Sequence, residues 1–270
     1  MTAGTTRLGA ALRARGSRFG TFLLSVDRTG STNALALELA RSGAPGGSVV
    51  LAERQACGRG RWNRSWASAA GGVYLSVLLR PAPDHLVLEL LPLTAAVAVA
   101  EALDLTHGIA PRLRWPNDVF ASGRKLGGVL CESSFQGERF DFAVVGIGVN
   151  VGQRLDDFPS DVRERATSVR VLTGQATDPV ETAAAILVAL ERRLFAPAGG
   201  ASSLERYREL SEGLSGAAVR VVSRAGEALE ATSEGLAEDG ALRVRLVDGT
   251  SRLLYSEDVL LLRPADERPP

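Results

Sequence analysis

Two apolar runs near the middle of the chain constrain its fold more than any other feature. They cover residues 127–135 and 140–150, and a short polar segment that contains Gly137 joins them. Apolar runs of strand length on either side of such a segment are typical of a β-hairpin. We therefore predict a pair of antiparallel strands at this point.

The part of the chain before residue 215 alternates between patterns typical of strands and of helices. Ser31 is suited to the start of a helix and Gly43 to the position after its end. The most apolar stretch, 86–103, predicts a buried helix that begins near Pro92, because proline suits a first helical turn. The predicted strands are 22–28, 48–53, 73–79 and a short extended segment at 112–115; the predicted helices are 31–42, the one from Pro92, 180–195 and 204–214; residues 197–203 are predicted to form a loop.

The pattern changes after residue 215, where short strand-like runs are separated by glycine-containing turns. The runs are 218–223, 228–233, 242–247, 251–255 and 259–262, and the turns contain Gly226, Gly240 and Gly249. This spacing predicts a small all-β barrel. We therefore expect two domains, 1–214 and 215–270.

The composition predicts a folded, cytoplasmic protein with no general attraction for nucleic acids or membranes. The 270 residues are 45% apolar, and 31 basic side chains balance 31 acidic ones, so any anion site must be local. Two cysteines are too few for a disulfide framework. Glu89, Pro92 and Glu101 interrupt the most apolar stretch, and the first twenty residues lack the apolar run of a signal peptide.

The first candidate site is a loop, residues 58–66, that is rich in glycine, arginine and tryptophan. Glycine lets a backbone approach a phosphate closely, arginine binds carboxylates and phosphates, and tryptophan offers a face for stacking. The loop is not a Walker motif, since no Lys-Ser or Lys-Thr follows its last glycine, and it is not a dinucleotide fingerprint, since Asn63 stands where a third glycine would be. A solvated surface loop is the alternative.

Three further segments carry side chains suited to a polar ligand. Asn117 and Asp118 follow Pro116, an arrangement that suits nucleotide or magnesium binding but also an ordinary turn. Ser31, Thr32 and Asn33, together with Gln55, could bind a polar head group, although Ser31 could equally be a helix cap.

Lys125 differs from every other basic residue because it is the only lysine in the chain. It precedes an apolar run, 127–135, that should be buried. A cation at the mouth of such a strand can neutralise charge that develops on an acyl phosphate. A surface lysine is the alternative, but the general use of arginine favours a specific task for Lys125.

Taken in order, these segments resemble the biotin–protein ligases. The resemblance lies in five strings, Ser31-Thr32-Asn33, Gln55-Ala56-Cys57-Gly58-Arg59-Gly60-Arg61, Arg114-Trp115-Pro116-Asn117-Asp118, Lys125-Leu126-Gly127-Gly128-Val129-Leu130 and Gly146-Ile147-Gly148-Val149-Asn150. The sequence departs from the family at Asn63, where relatives often have a glycine, and at Arg114, where many have lysine.

The resemblance implies an α/β (α+β) fold, with a mixed β-sheet flanked by helices, similar to a class II aminoacyl-tRNA synthetase, and a C-terminal SH3-like β-barrel. It also implies ATP-dependent activation of biotin to biotinyl-5′-AMP and its transfer to a lysine of a biotin carboxyl carrier domain of a biotin-dependent carboxylase. ATP and Mg would act as a substrate complex, with no tightly bound metal. The protein would be a monomer or weak homodimer.

The resemblance further implies a role for each site residue. Lys125, Arg61 and Asp118 would be catalytic, with Asp118 the residue closest to a magnesium ion that arrives with ATP. The biotin-side residues would be Ser31, Thr32, Asn33, Gln55, Arg59, Gly60, Arg61 and Lys125. The nucleotide-side residues would be Arg61, Arg64, Trp66, Asn117, Asp118, Gly127, Gly128 and Asn150. The loop at 58–66 would stay mobile until ligand binds, because its glycines make it costly to order.

Other functions stay open. A lipoate or octanoate ligase or transferase would share the fold, although the strings around Arg59 and Asn117 favour biotin. A nucleic-acid-binding module could use the arginines and tryptophans of the loop, but the zero net charge disfavours it. A catalytically inactive biotin sensor is a third alternative. About 20 residues precede the first predicted strand, too few for the DNA-binding module of some relatives, so we expect no DNA binding.

Overall fold

A seven-stranded mixed sheet forms the larger part of the molecule. The computed structural model describes residues 3–80, 87–196, 199–223 and 226–264. The strand order is β1-β2-β3-β7-β6-β5-β4, and β1 runs parallel to β2 while the other neighbours are antiparallel. The strands are β1 Leu23–Thr29, β2 Val49–Gln55, β3 Val73–Leu79, β4 Arg112–Arg114, β5 Asp118–Ala121, β6 Arg124–Gln136 and β7 Arg139–Val149.

Helices cover both faces of this sheet, as expected for the predicted fold class. On one face, α2 packs Ala36 and Ala40 against Val50, Leu78 and Phe142. On the other face, α1, α3 and α5 contribute to a larger apolar core. The helices are α1 Ala3–Ala14, α2 Thr32–Arg41, α3 Leu91–His107, α4 Val169–Thr173, α5 Pro179–Phe195 and α6 Gly199–Leu210.

The predicted hairpin is confirmed. Strands β6 and β7 pair from Gln136 and Arg139 inwards, and Gly137 has a φ of 63°, a backbone conformation that glycine adopts at no steric cost. This pair lies in the interior of the sheet, where it joins β3 to β5. The hairpin therefore places β6 and β7 beneath any ligand bound on the α2 face.

A second, five-stranded antiparallel sheet follows α6. Its order is β11-β10-β9-β8-β12, and β8 begins at Ser215. The strands are β8 Ser215–Ser223, β9 Ala228–Leu236, β10 Leu242–Leu246, β11 Ser251–Leu254 and β12 Val259–Pro264. The pairings among the described residues leave β11 and β12 as the two ends of an open sheet, so closure into a barrel stays a prediction.

Some elements were not predicted from the sequence. Helices α1 and α4 and strand β5 were missed, and the loop predicted at 197–203 is wrong from Gly199 onward, because α6 begins there. Residues 197 and 198 lie outside the described part of the chain. Helix α1 buries Leu8 and Leu12 in the core. Tertiary packing therefore stabilises a helix that its own sequence did not clearly indicate.

Candidate active site

A cavity of about 190 Å³ opens on the α2 face of the large sheet. Six segments meet around it, namely the start of α2, the end of β2, the loop at 58–66, the segment at 114–118, the first half of β6 and the end of β7. The lining residues are Ser31, Thr32, Asn33, Gln55, Arg59, Gly60, Arg61, Trp62, Arg64, Ser65, Trp66, Arg114, Trp115, Pro116, Asn117, Asp118, Lys125, Gly128, Val129, Leu130, Gly146, Ile147 and Gly148.

The start of α2 and the end of β2 form a polar corner of the cavity. Gln55 Oε1 accepts hydrogen bonds from the Thr32 amide at 2.8 Å and from Thr32 Oγ1 at 3.2 Å. Gln55 Nε2 donates to Ser68 Oγ at 2.9 Å. Ser31 occupies the N-cap position, but its side chain caps no backbone N–H. Helix capping therefore does not account for the hydroxyl of Ser31, which lines the cavity.

Asn33 lies at the floor of the cavity and is held by the protein itself. Its Nδ2 donates to the Leu130 carbonyl at 3.2 Å and to Glu132 Oε2 at 2.8 Å, while its Oδ1 accepts from Ser76 Oγ at 2.6 Å. A Cβ on Gly146 would lie 1.9 Å from Asn33 Oδ1, so only glycine fits beside it. These bonds indicate that Asn33 shapes the floor of the cavity.

The loop at 58–66 is a tight hairpin. The Gly60 amide donates to the Arg64 carbonyl at 2.7 Å and the Trp66 amide to the Gly58 carbonyl at 2.8 Å. Trp62 and Asn63 have φ values of 58° and 56°. A non-glycine residue in this left-handed region costs about 1–3 kcal/mol, and asparagine tolerates it better than most. The predicted mobility of the loop stays a prediction.

The guanidinium of Arg61 joins this loop to the C-terminal sheet. Arg61 Nη2 donates to the carbonyls of Ser256 and, at 2.8 Å, Val259, and Nη1 lies 3.5 Å from Asn117 Oδ1. Burial lowers the pKa of Arg61 from its ordinary value, although the nearby carboxylate of Asp118 opposes the shift. An arginine stays cationic at neutral pH even so, and the side chain therefore brings a fixed positive charge to the wall of the cavity.

The segment at 114–118 forms a second wall. The Trp115–Pro116 peptide bond is cis, and Trp115 Nε1 donates to the Gly240 carbonyl at 2.9 Å. Asn117 Nδ2 donates to the Val129 carbonyl at 2.5 Å, and the Val129 amide returns a bond to the Asn117 carbonyl at 3.0 Å. The turn predicted as an alternative is present at 115–117, but Asp118 begins strand β5.

Lys125 forms an ion pair in the lining of the cavity. Its Nζ is 2.7 Å from Asp118 Oδ1 and 5.4 Å from the centre of the Trp66 ring. Its backbone is fixed on both sides, since its amide donates to the Arg165 carbonyl at 2.7 Å and its carbonyl accepts from the Thr167 amide at 2.9 Å. Fixed backbone and paired ammonium together make Lys125 a positioned cation inside the cavity.

Trp66 lies flat against β7. A Cβ on Gly148 would meet the indole at 2.8–3.3 Å, so the ring occupies the space that a side chain would need. The indole Nε1 is buried and has no hydrogen-bond partner among the described residues. An unpaired buried donor is costly, and a ligand acceptor in the cavity would satisfy it.

Two of the sequence-predicted residues do not line the cavity. Asn150 is 4% exposed and its Nδ2 donates to the Thr167 carbonyl at 3.0 Å. At Gly127 a Cβ would lie 2.8 Å from the Gly148 carbonyl, so this glycine allows close approach of strands β6 and β7. Both residues support the wall that carries Lys125.

The sequence did not point to some of the residues that shape the site. Ser76, Ser68 and Glu132 hold the predicted polar residues in place, whereas Trp62 and Ser65, which also line the cavity, belong to the predicted loop. The composition of β3 could have indicated Ser76, because it is a small polar residue within a run of apolar and aromatic residues. The other contacts depend on segments that are far apart in the sequence.

The charges of the cavity suit an anionic ligand with a polar head. Arg59, Arg61, Arg64 and Lys125 all line it, against the single carboxylate of Asp118. In the described part of the chain, no three His, Cys, Asp or Glu side chains group as a metal site would require. Magnesium commonly binds through one or two carboxylates plus substrate phosphates, and Asp118 fits that pattern.

Comparison with known proteins identifies the family. A biotin–[acetyl-CoA-carboxylase] ligase of Mycobacterium tuberculosis is 35% identical over 245 residues, which cover 88% of each chain. The chain belongs to the biotin–protein ligase family. Residues 25–150 also match the sequence profile of the Biotin/lipoate A/B protein ligase family. This span contains all the predicted site residues.

Other relatives of the family match over shorter stretches. A biotin–[acetyl-CoA-carboxylase] ligase of Paracoccus denitrificans is 44% identical over 159 residues, which are 57% of this chain and 65% of the relative. A bifunctional ligase/repressor of Bacillus spizizenii is 38% identical over 175 residues, or 64% of this chain and 54% of the relative. The chain thus spans between half and two thirds of the length of these two proteins.

A solved structure of the family has the same fold. The biotin protein ligase of Aquifex aeolicus, in complex with biotin and ATP, superposes with a TM-score of 0.77 at 30% identity, covering 91% of this chain and 100% of that one. The mixed sheet flanked by helices is therefore the family fold. Among the described residues, no helix has the length and apolar character needed to cross a bilayer.

Proposed function

We propose that this protein activates biotin with ATP and transfers the biotinyl group to a lysine of a biotin carboxyl carrier domain. One observation carries the proposal: Lys125 and the arginines of the 58–66 loop, which are far apart in the sequence, line the same cavity. The Aquifex aeolicus relative that shares the fold was solved with biotin and ATP, the two substrates that such a cavity would bring together.

The first step joins two anions. A carboxylate oxygen of biotin attacks the α-phosphorus of ATP, the bond to the bridging oxygen of the β-phosphate breaks, and pyrophosphate leaves with biotinyl-5′-AMP remaining. Fixed cations offset the repulsion between carboxylate and triphosphate, and one such contact can contribute about 3–4 kcal/mol. Arg61 and Lys125 would provide these cations, with Asp118 close to the magnesium ion that accompanies ATP.

The second step consumes the adenylate. The uncharged amine of the acceptor lysine attacks the acyl carbon, the carbon–oxygen bond to phosphate breaks, and AMP leaves. The nitrogen gives up one proton, to the phosphate of AMP or to solvent, as the amide forms. An acyl adenylate hydrolyses readily, so the site must exclude water until the acceptor arrives. We propose that the loop at 58–66 has this function.

The other site residues follow from where they lie. Ser31, Thr32, Gln55 and Asn33 form or support the polar corner that would bind the ureido ring of biotin, with Arg59 and Gly60 near its carboxylate. Trp66, Arg64, Asn117 and Gly128 would border the nucleotide. Asn150 and Gly127 would act through the wall that they support.

We also propose the finer features of the molecule that the family resemblance implies. The five-stranded sheet would be an SH3-like barrel whose domain starts at residue 215, next to a catalytic domain of residues 1–214. The protein would act in the cytoplasm on a carrier domain of a biotin-dependent carboxylase, as a monomer or weak homodimer.

The test is incubation of the purified chain with biotin, ATP and Mg²⁺, followed by detection of biotinyl-5′-AMP and pyrophosphate. Addition of a biotin carboxyl carrier domain should then release AMP and leave one biotin on the carrier lysine. A parallel titration calorimetry experiment compares biotin with lipoate. Heat with lipoate and none with biotin would replace this proposal with a lipoate ligase.

A further inference from the structure

Two of the three tryptophans in the chain connect the cavity wall to the C-terminal sheet. Trp62 Nε1 donates to the Val259 carbonyl at 3.0 Å, and Trp115 Nε1 donates to the Gly240 carbonyl at 2.9 Å. Each bond runs from an indole N–H to a backbone carbonyl, so neither depends on the identity of the C-terminal side chain.

The contact of Trp62 holds an unusual backbone. Trp62 is in the left-handed region with φ 58°, and Asn63 follows it at 56°. Bulky residues persist in this region only where the surroundings fix them. The hydrogen bond to Val259 is one such contact, because it holds the indole against strand β12 and thereby stabilises the backbone conformation of Trp62.

Arg61 shares the same acceptor. The Val259 carbonyl accepts from Arg61 Nη2 at 2.8 Å as well as from Trp62, and the Ser256 carbonyl accepts from Arg61 too. An anionic ligand in the cavity would compete with these carbonyls for the guanidinium. The indole N–H of Trp62 is uncharged, so an anionic ligand attracts it less strongly than it attracts the guanidinium of Arg61.

We infer that Trp62 is a positioning residue, whose indole N–H anchors the 58–66 loop on β12 and so determines where Arg61 stands relative to the reacting groups. Trp62 lines the cavity, and its proposed effect on the reaction is exerted through Arg61. The kinetic consequence rests on the proposed function, whereas the anchoring itself does not. The C-terminal sheet thereby becomes part of the machinery that orients the loop.

The test of the anchor uses the full chain without ligands. Trp62→Phe keeps an aromatic ring and removes the N–H donor. The amides of Gly60 and Trp66, which are hydrogen-bonded inside the loop, should exchange with deuterium about fivefold faster in the variant, the effect expected of one lost hydrogen bond. The amides of strands β3 and β7 should keep their native rates.

A second experiment measures how the reaction rate of the same variant depends on the concentrations of ATP and biotin. The value of kcat should fall by about fivefold while the KM values change less than about twofold, because a displaced Arg61 stabilises the transition state of the first step less well. If the native chain binds no biotin, the proposed function is wrong. The hydrogen-exchange experiment still decides whether Trp62 anchors the loop, because it needs no substrate.

Two outcomes would overturn the inference. One is native exchange of Gly60 and Trp66 in the variant; the other is equal acceleration in β3 and β7, which would mean general destabilisation. Should Trp62→Phe not fold, the indole N–H of Trp62 in the native chain decides the matter by NMR. Slow exchange of that proton with solvent supports the anchor, and exchange as fast as that of a free indole contradicts it.

Discussion

At the scale of single residues, the site depends on one ion pair and a few glycines. Lys125 was notable in the sequence because it is the only lysine, and Asp118 because it follows Pro116 and Asn117. Their pairing at 2.7 Å follows from the register of β5 and β6, in which Asp118 lies opposite Gly128. A sequence shows which side chains are unusual, but a register between strands is needed to bring them together.

Gly148→Ala tests how closely Trp66 is packed. The new methyl group would lie 2.8 Å from the indole nitrogen, and the backbone on both sides is held in β7, so the ring must move. We expect a loss of about 1–3 kcal/mol in the free energy of unfolding, the usual range for overpacking. Urea unfolding measures it, and ATP affinity should fall in parallel.

Gly30→Ala is the matched control for this change. An added methyl at Gly30 meets nothing within 4 Å, and its φ is not in the left-handed region. It should leave both stability and ATP affinity close to native. Equal effects in the two variants would show that the loss at Gly148 does not come from Trp66.

At the scale of elements, the sequence predicted those strands and helices that carry a clear local pattern of apolar residues, glycine or proline. The β6–β7 hairpin, α3 from Pro92 and the five C-terminal strands follow their sequence signals within a few residues. Strand β5 was missed because its four residues, Asp118–Ala121, follow a turn and are fixed mainly by pairing with β4 and β6. The first turns of α6 were missed because glycines and serines predict a loop.

The contact between α3 and α5 makes a pH-dependent contribution to stability. His107 ends α3, and its Nε2 lies 3.0 Å from Thr182 Oγ1 in the first turns of α5. Burial lowers the pKa of His107 from its ordinary value of 6.5. Below that value the unfolded chain binds a proton that the folded chain does not, so the free energy of unfolding must fall as the pH drops from 6.5 towards the folded-state pKa.

His107→Gln removes this proton uptake while keeping a side chain that can bond to Thr182. We therefore expect the free energy of unfolding of the native chain, relative to that of the variant, to be lower at pH 5.5 than at pH 8. Urea unfolding at several pH values measures the difference. A constant difference across that range would contradict a lowered pKa.

At the scale of the whole molecule, two sheets meet at the cavity. The large sheet provides the floor and Lys125, while carbonyls at Ser256, Val259 and Gly240 hold the two walls. Arg61 and Ser256 are 195 positions apart in sequence, so no local pattern could have predicted this contact. The overall charge balance also conceals the local field, because several cations and only one carboxylate line a cavity of a neutral chain.

The most direct test of the account is ATP–pyrophosphate exchange in the presence and absence of biotin, in the native chain, Lys125→Ala and Arg124→Ala. Arg124 is the matched control, since it is an exposed cation next to Lys125 that does not line the cavity. We predict biotin-dependent exchange by the native chain and Arg124→Ala, and a loss of about 100- to 1,000-fold in Lys125→Ala. Native-level exchange in Lys125→Ala would contradict the claim that this lysine and the arginine loop join the two anions.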